Sequence, residues 1–162
     1  MRKRVVITGL GAISPLGLNV EETWQGLLAG KSGAAPITHF DASDHKTLFA
    51  AEVKGFDADA LFGRREARRM DRYSQFALAA ALQAVDDSDL QITDENRDRI
   101  GVLIGTGIGG VGTLLEQAEL MGERDASRVN PFLIPMMLAD TAPGMIAINL
   151  GVRGPNMSVV TA

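Results

Sequence analysis

The glycine-rich segment Gly105–Gly110 carries a sequence pattern found at phosphate-binding turns. It reads GTGIGG and lies between a predicted strand and a predicted helix, where a pyrophosphate can rest on helix N–H groups. A dinucleotide site also requires an acidic residue about 20 positions later, at the end of a second strand. Asp125 has that spacing, but its surroundings show no strand pattern. The favoured interpretation is that these glycines let backbone pass close to other backbone or to a substrate chain.

A cluster of basic residues is the second candidate for a functional surface. On a helix, residues three and four positions apart lie on one side, which groups most of the cluster. One interpretation is a solvated face that Glu66 and Asp71 partly neutralise. The other is a docking patch, in which clustered guanidinium groups attract an acidic partner and form charge-assisted hydrogen bonds. The members of the cluster are Arg64, Arg65, Arg68, Arg69 and Arg72.

Several other kinds of chemistry are disfavoured by composition and spacing. His39 and His45 lie in an irregular segment with aspartates nearby, but a pair without a third convergent ligand does not predict a metal site. The 162 residues include no cysteine, which excludes a disulfide scaffold and a cysteine-based zinc site in this chain. A net charge of −4 disfavours a broad nucleic-acid surface. The expected class is a soluble, cytosolic α/β protein of one domain.

The elements that must position these residues follow from apolar periodicity and from turn residues. Continuous β-branched runs predict buried parallel strands, and Asn19 with Glu22 predicts the cap of a helix that Gly30 ends. The alanine-rich run 72–87 predicts a helix buried between layers. The predicted strands are Arg4–Thr8, Phe49–Val53, Arg99–Ile104 and Asn156–Val160. The predicted helices are Val20–Ala29, Asp57–Phe62, Arg64–Asp71, Arg72–Asp87, Thr113–Met121 and Thr141–Leu150, and residues 31–46 are expected to be irregular.

Seven motifs, in order along the chain, together resemble the β-ketoacyl-[acyl-carrier-protein] synthases, and most closely the II type of bacterial fatty-acid synthesis. Ile108 within GTGIGG favours the II type over the I type. The motifs are VVITGLGAISPLG, LLAGKSG, KGFD, RRMDRYSQFA, RIGVLIGTGIGG, NPFLIP and GVRGPNMSVVTA. The resemblance implies a thiolase-like α/β fold with α-β-α-β-α layers, of which residues 1–162 form most of the N-terminal half. It also implies a homodimer that pairs through the strand Asn156–Val160.

The activity implied by the resemblance is a decarboxylative Claisen condensation of an acyl thioester with malonyl-acyl-carrier protein. In the family, the nucleophilic cysteine directly follows the V-x-T-A motif, so it is expected immediately after Ala162. The assisting histidines belong to the second half of such synthases. We therefore expect that the natural protein continues past Ala162 and that the 1–162 segment alone is inactive. No cofactor and no metal are expected.

The resemblance also implies two sets of site residues within the chain. Ile108 is expected at the throat of the acyl pocket, and the loop at 132–134 is expected to reach the acyl tunnel of the partner in the dimer. The substrate-binding set is Gly107, Ile108, Phe132, Leu133, Ile134 and Ala162. The docking set for the acidic acyl carrier protein is Arg65, Arg68, Arg69 and Arg128. An alternative function is a non-catalytic synthase-like partner subunit, either a chain-length factor or a decarboxylase, which the residue after Ala162 would distinguish.

Overall fold

The computed structural model describes residues 3–123 and 126–161, which divide into two compact units. The first unit is built from the chain up to Asp57 together with Leu82–Asp89. The second is built from Ala58–Ala81 together with the chain from Leu90 onward. Within the described residues, no helix is both long and apolar enough to cross a membrane.

The first unit contains helix α1 (Val20–Leu28) and a short antiparallel pair, β1 (Ala35–Pro36) with β2 (Phe49–Ala50). The predicted cap of α1 is confirmed, because the Asn19 side chain accepts the Glu22 N–H at 2.8 Å. The Glu22 carboxylate in turn accepts the Leu18 N–H at 2.8 Å. Gly30 follows the helix with a φ of 64°, a left-handed conformation that favours glycine.

The predicted first strand, Arg4–Thr8, is wrong, because the structure assigns no strand to residues 3–13. Its apolar side chains Val5 and Ile7 are 95% and 83% exposed. A β-branched run has strand propensity, but a strand also requires a neighbouring strand with which to share hydrogen bonds. The chain that follows this run is held by helix side chains, since Leu10 N–H donates to Asp87 Oδ2 at 2.8 Å.

The turn after Gly9 is attached to the end of helix α4 (Arg72–Asp87), the part of that helix that belongs to the first unit. Gln83 forms two hydrogen bonds, accepting the Ala12 N–H at 3.1 Å and donating to the Leu18 carbonyl at 2.8 Å. A Cβ at Gly9 would lie 2.2 Å from the Ala84 carbonyl oxygen. Glycine is therefore required for this close approach of turn and helix.

The second unit is built around a parallel pair of strands, β3 (Val102–Thr106) and β4 (Asn156–Val160). Their register runs from Val102 opposite Asn156 to Thr106 opposite Val160. The helices of this unit are α2 (Ala58–Phe62), α3 (Arg64–Ala67), the start of α4, α5 (Val111–Glu123), α6 (Leu133–Met137) and α7 (Thr141–Leu150). Its buried apolar side chains are Ala67, Met70, Leu78, Ala79, Ala142, Ile146 and Val152.

Most predicted elements of the second unit are confirmed in type, but strand β3 begins three residues later and helix α5 two residues earlier than predicted. Helices α4 and α7 and strand β4 have the predicted bounds. The helix predicted over Arg64–Asp71 ends at Ala67, because the backbone turns between α3 and α4. Helix α6 was not predicted, since Pro131 and Pro135 are typical of loops.

Glu52 binds the chain that follows β1 and so stabilises the first unit. Its carboxylate accepts the Thr38 hydroxyl at 2.6 Å, the Thr38 N–H at 3.0 Å and the His39 N–H at 3.2 Å. These hydrogen bonds, the Thr38 hydroxyl first and the Thr38 N–H next, lower the pKa of Glu52 from its ordinary value of 4.5 to about 2. The ionised carboxylate is therefore the form that the fold stabilises.

We predict that Glu52→Gln lowers stability at neutral pH but not in strong acid. Because the pKa of Glu52 is lower in the folded chain than in the unfolded chain, its contribution is complete above the ordinary value of 4.5 and is lost as the pH falls towards 2. The Tm difference between wild type and variant should thus be constant near pH 7 and shrink below pH 4.5. Thermal melts across this range check it, with Glu21→Gln as the control, because the Glu21 carboxylate accepts a hydrogen bond from the Gln25 side chain in an exposed position. A difference that is independent of pH would contradict the prediction.

Candidate functional site

The basic cluster forms one wall of an open groove of about 680 Å³ in the second unit. The other wall is the turn that precedes helix α6. The groove therefore combines guanidinium groups with an aromatic ring and a proline. Its lining residues are Arg64, Arg65, Arg68, Arg69, Asn130, Pro131 and Phe132. We call this site the arginine groove.

The charges of the arginine groove are only partly neutralised. Glu66 interacts with two of the arginines: its Oε1 lies 3.4 Å from Arg69 Nη1 and 3.9 Å from Arg65 Nε. Across the residues that the structure describes, Arg64 and Arg68 have no ion-pair partner, and both are exposed. Exposed pairs of this kind contribute roughly 0–1 kcal/mol, so an anionic partner can compete for them.

Phe132 links the two sets of site residues that the sequence predicted separately. The Arg69 guanidinium carbon lies 4.9 Å from the centre of the Phe132 ring, a cation–π contact across the groove. Phe132 was predicted to belong to an acyl-tunnel loop, and Arg69 was predicted to bind a carrier protein. In the structure the two side chains form a single surface.

Two predicted members of the basic surface lie elsewhere. Arg72 begins helix α4 and stacks on Phe76, with 4.8 Å between its guanidinium carbon and the ring centre. Arg128 is exposed in a 3-10 turn, Ala126–Arg128, and is not one of the residues that line the arginine groove. Asp71 does not neutralise the arginines either, since its carboxylate binds helix α5.

The wall opposite the arginines is held by two hydrogen bonds of Asn130. Asn130 N–H donates to the Oε1 of Gln117, a buried residue of α5, at 2.7 Å. The Asn130 side-chain oxygen accepts the Phe132 N–H at 2.9 Å, which fixes the turn before α6. Asn130 and Pro131 were not among the predicted site residues, although an Asn-Pro pair is a recognised turn signal.

In the glycine-rich segment, the last two glycines lie against other backbone, whereas the middle of the segment has free space around it. A Cβ at Gly110 would lie 2.2 Å from the Met136 carbonyl oxygen, and Gly109 has a φ of 93°. These two glycines let the backbone pass against helix α6, as the favoured interpretation predicted. At Gly107 a Cβ would meet no heavy atom within 4 Å, and the neighbouring Ile108 is 63% exposed.

Three of the N–H groups that could bind a phosphate at this turn are already hydrogen-bonded. Gly109 N–H donates to Thr106 Oγ1 at 3.1 Å, and Gly110 N–H donates to the Met137 carbonyl at 3.1 Å. Thr113 N–H donates to the Asp71 carboxylate at 3.1 Å, and this negative charge would also repel a phosphate. The structure therefore disfavours the dinucleotide interpretation. Asp125, its proposed acidic residue, lies outside the described residues.

The histidines have ordinary surroundings in the first unit. His39 Nε2 lies 3.9 Å from Glu52 Oε1, and the His45 ring contacts the Phe40 ring edge to face at 5.6 Å. Within 3–123 and 126–161, no three histidine, aspartate or glutamate side chains are grouped as metal ligands.

The remaining predicted site residues are placed as follows. Leu133 and Ile134 form the start of α6, where Leu133 is half-buried and Ile134 is 58% exposed. Gly107 and Ile108 lie between β3 and α5 and do not line the arginine groove. Ala162 lies outside the described residues.

Comparison with known proteins gives one consistent match. A family model described as "Beta-ketoacyl synthase, N-terminal domain" matches residues 2–162. The chain is 53% identical over 161 residues to 3-oxoacyl-[acyl-carrier-protein] synthase 2 of Synechocystis sp., covering 99% of this chain and 39% of that protein. The chain therefore spans well under half the length of this curated relative.

Solved structures show the same likeness. The ishigamide ketosynthase/chain length factor is 35% identical with a TM-score of 0.79, over 99% of this chain and 40% of that chain. A type II PKS ketosynthase, solved in complex with its acyl-carrier protein, is 20% identical with a TM-score of 0.76, over 98% of this chain and 41% of that chain. The second likeness concerns the fold alone.

We predict that Gly110→Ala destabilises the protein by about 1–3 kcal/mol or more, because the added methyl group would overlap the Met136 carbonyl. Gly107→Ala is the matched control from the same segment, since a Cβ there meets nothing within 4 Å. Urea unfolding of the two variants measures the difference. Equal stability of Gly110→Ala and wild type would show that α6 does not press on this glycine.

Proposed function

Since the chain belongs to the β-ketoacyl synthase family and has the thiolase-like α/β fold predicted for it, we propose that the protein is a 3-oxoacyl-[acyl-carrier-protein] synthase of the II type. It would condense an acyl thioester with malonyl-acyl-carrier protein, release CO₂ and elongate a fatty acid. The observation that carries this proposal is the 53% identity over 161 residues to a synthase of that name. Residues 1–162 would form the N-terminal part of the enzyme, and the reaction would take place in the cytoplasm.

The proposed chemistry requires groups that residues 1–162 do not supply. In the proposal, the acyl group is carried on a cysteine directly after Ala162, and the histidines that assist decarboxylation come from the second half of the synthase. Residues 1–162 contain no cysteine and only two histidines, His39 and His45. Neither histidine is assigned a catalytic role, and the segment by itself would not turn over.

The arginine groove is the proposed docking surface for the acyl carrier protein, with Arg65, Arg68 and Arg69 as its basic residues. The net charge of the chain is −4, so the attraction of an acidic partner must be local. Arg64 and Arg68 have no ion-pair partner among the described residues, and they provide that local charge. The 53% identical relative is named a 3-oxoacyl-[acyl-carrier-protein] synthase, which supports the choice of partner. Arg128, exposed in its own turn, would extend the surface.

The acyl chain is proposed to pass Gly107 and Ile108, with Phe132, Leu133, Ile134 and Ala162 as further contacts. The 63% exposure of Ile108 and the open space at Gly107 are compatible with a side chain that moves to admit substrate. Phe132 lies directly under Arg69, so an anionic partner at the arginines would be in contact with an apolar ring. This suits a partner that is acidic and carries an acyl chain.

A homodimer is proposed to pair through β4. Parallel sheets in α/β proteins are covered on both faces, whereas Leu103, Met157 and Val159 are 64%, 56% and 44% exposed. Strand β4 pairs only with β3 among the described residues, which leaves its other edge available for a second strand. The alternative of a non-catalytic partner subunit is not favoured, because the 53% identical relative is named a synthase.

The proposed activity is tested with the full-length protein, malonyl-acyl-carrier protein and a medium-chain acyl-carrier protein. We expect release of CO₂ and formation of a 3-oxoacyl thioester two carbons longer than the acyl substrate. Mass spectrometry of the carrier-protein products measures both the extension and its dependence on the acyl substrate. CO₂ release without extension would support the decarboxylating partner subunit, and absence of both reactions would overturn the proposal.

Docking is tested by reversing two charges of the arginine groove, Arg68→Glu with Arg69→Glu. The KM for carrier-protein substrates should rise about tenfold or more, because two charge-assisted contacts of roughly 1 kcal/mol or more become repulsive. The KM for small thioester mimics should change little. Arg99→Glu is the matched control, since Arg99 is exposed and lies outside the groove. Equal effects on both kinds of substrate would show that the groove is not a docking surface.

A further inference from the structure

The buried carboxylate of Asp71 caps two helices of the second unit at once. Asp71 is only 8% exposed and directly precedes α4. Its Oδ1 accepts the Tyr73 N–H in the first turn of α4 at 3.0 Å. Its Oδ2 accepts both the N–H and the hydroxyl of Thr113, in the first turn of α5, at 3.1 and 2.7 Å. One side chain therefore accepts an otherwise unpaired N–H group from the first turn of each helix.

The two helices that Asp71 joins are attached to different parts of the proposed site. On one side, Arg69 and the buried Met70 directly precede Asp71, so the position of Asp71 sets that of the arginine wall. On the other side, α5 begins at Val111, directly after the glycine-rich segment that carries Ile108. A movement of Asp71 relative to Thr113 would thus change the distance between the arginines and the Ile108 segment.

Helix α5 is also attached to the opposite wall of the groove. Gln117 lies one turn after Thr113 and is likewise buried, and it accepts the Asn130 N–H at 2.7 Å. Thr113 and Gln117 share one face of α5, because residues four positions apart lie above each other. The same face of α5 is therefore hydrogen-bonded to Asn130 of one groove wall and to Asp71, which lies two residues after Arg69 of the other wall.

We infer that Asp71 is a positioning residue that couples the arginine groove to the Ile108 segment through helix α5. The inference rests on the proposed function for its consequence, which is that docking at the arginines and admission of the acyl chain at Ile108 respond together. Neither Asp71 nor Thr113 contacts the substrate in this scheme. Their hydrogen bonds hold the arginine groove and the Ile108 segment in fixed positions relative to each other.

The test compares Asp71→Asn with wild type in the full-length protein. Asparagine keeps the side-chain volume and one acceptor oxygen, which can still cap α4. Its amide group cannot accept the Thr113 N–H, so the link to α5 loses this hydrogen bond and is weakened. The matched control is Glu52→Gln, which removes a carboxylate with three similar hydrogen bonds from the first unit. Ile108→Phe is the reference for a direct change at the acyl pocket.

Three quantities are measured for each variant. They are the amide hydrogen exchange of residues 105–113, the KM for carrier-protein substrates and the ratio of activities on long and short acyl chains. For Asp71→Asn we expect about tenfold faster exchange in residues 105–113, because a charge-assisted hydrogen bond is lost. Both the KM and the chain-length ratio should change as well. Glu52→Gln should lower the Tm without changing these three quantities. If Asp71→Asn behaves like Glu52→Gln, Asp71 is a structural cap only and the inference is overturned.

A milder variant keeps the inference testable if Asp71→Asn does not fold. Thr113→Val removes only the 2.7 Å hydroxyl bond and keeps the N–H bond to Asp71. It should change the same three quantities in the same direction but by less, and no change in any of them would overturn the inference. Failure of the proposed function is separate. It would show as an inactive wild type, or as an Ile108→Phe variant with an unaltered chain-length ratio, while hydrogen exchange would still report on the coupling.

Discussion

Helix starts that lie inside the protein must find hydrogen-bond acceptors there, and the second unit depends on one carboxylate for two of them. An N–H group buried without a partner costs about 1–3 kcal/mol, which is a large part of the stability of a small domain. Asp71 removes this cost at both α4 and α5. The buried hydroxyl groups of Ser74 and Ser158 have no partner among the described residues, so the interior of this unit already contains two unsatisfied polar groups. Loss of the Asp71 acceptor would add to them.

The arginine groove shows how an acidic chain can present a basic surface. Charges on the surface are screened over roughly 8 Å at physiological ionic strength, so the net charge of −4 matters less than the residues in the immediate surroundings. Within the groove, Glu66 is the only nearby acid that pairs with arginines in the described structure. The Phe132 ring adds a cation–π contact to Arg69, worth about 0.5–1 kcal/mol at an exposed site. That contact holds one guanidinium over an apolar surface, while Arg64 and Arg68 remain exposed.

Helices whose bounds are set by neighbouring residues were predictable from the sequence. Elements that depend on contacts with distant parts of the chain were not. The alanine-rich run of α4 and the left-handed Gly151 after α7 set the bounds of those helices without any other part of the chain. Helix α6 was missed because Pro135 is typical of loops, although proline is tolerated in the first turn of a helix, where it lies here. The strand predicted over Arg4–Thr8 was wrong for the opposite reason. Its β-branched residues have clear strand propensity, but a strand also requires a neighbouring strand, which the local sequence does not specify.

The candidate site was predictable as residue types but not as an arrangement. Arg69 and Phe132 were assigned separate roles by the family resemblance, and more than sixty residues separate them. Hydrogen bonds of α5 to Asp71 and to Asn130 bring their segments together. Asp71 was interpreted as a neutralising charge because it lies two residues from Arg69. An exposed ion pair contributes roughly 0–1 kcal/mol, whereas a helix cap contributes about 0.5–2 kcal/mol and two caps contribute more. Once Asp71 is buried beside two helix starts, capping is the stronger interaction, and that burial is a property of the fold and not of the neighbouring residues.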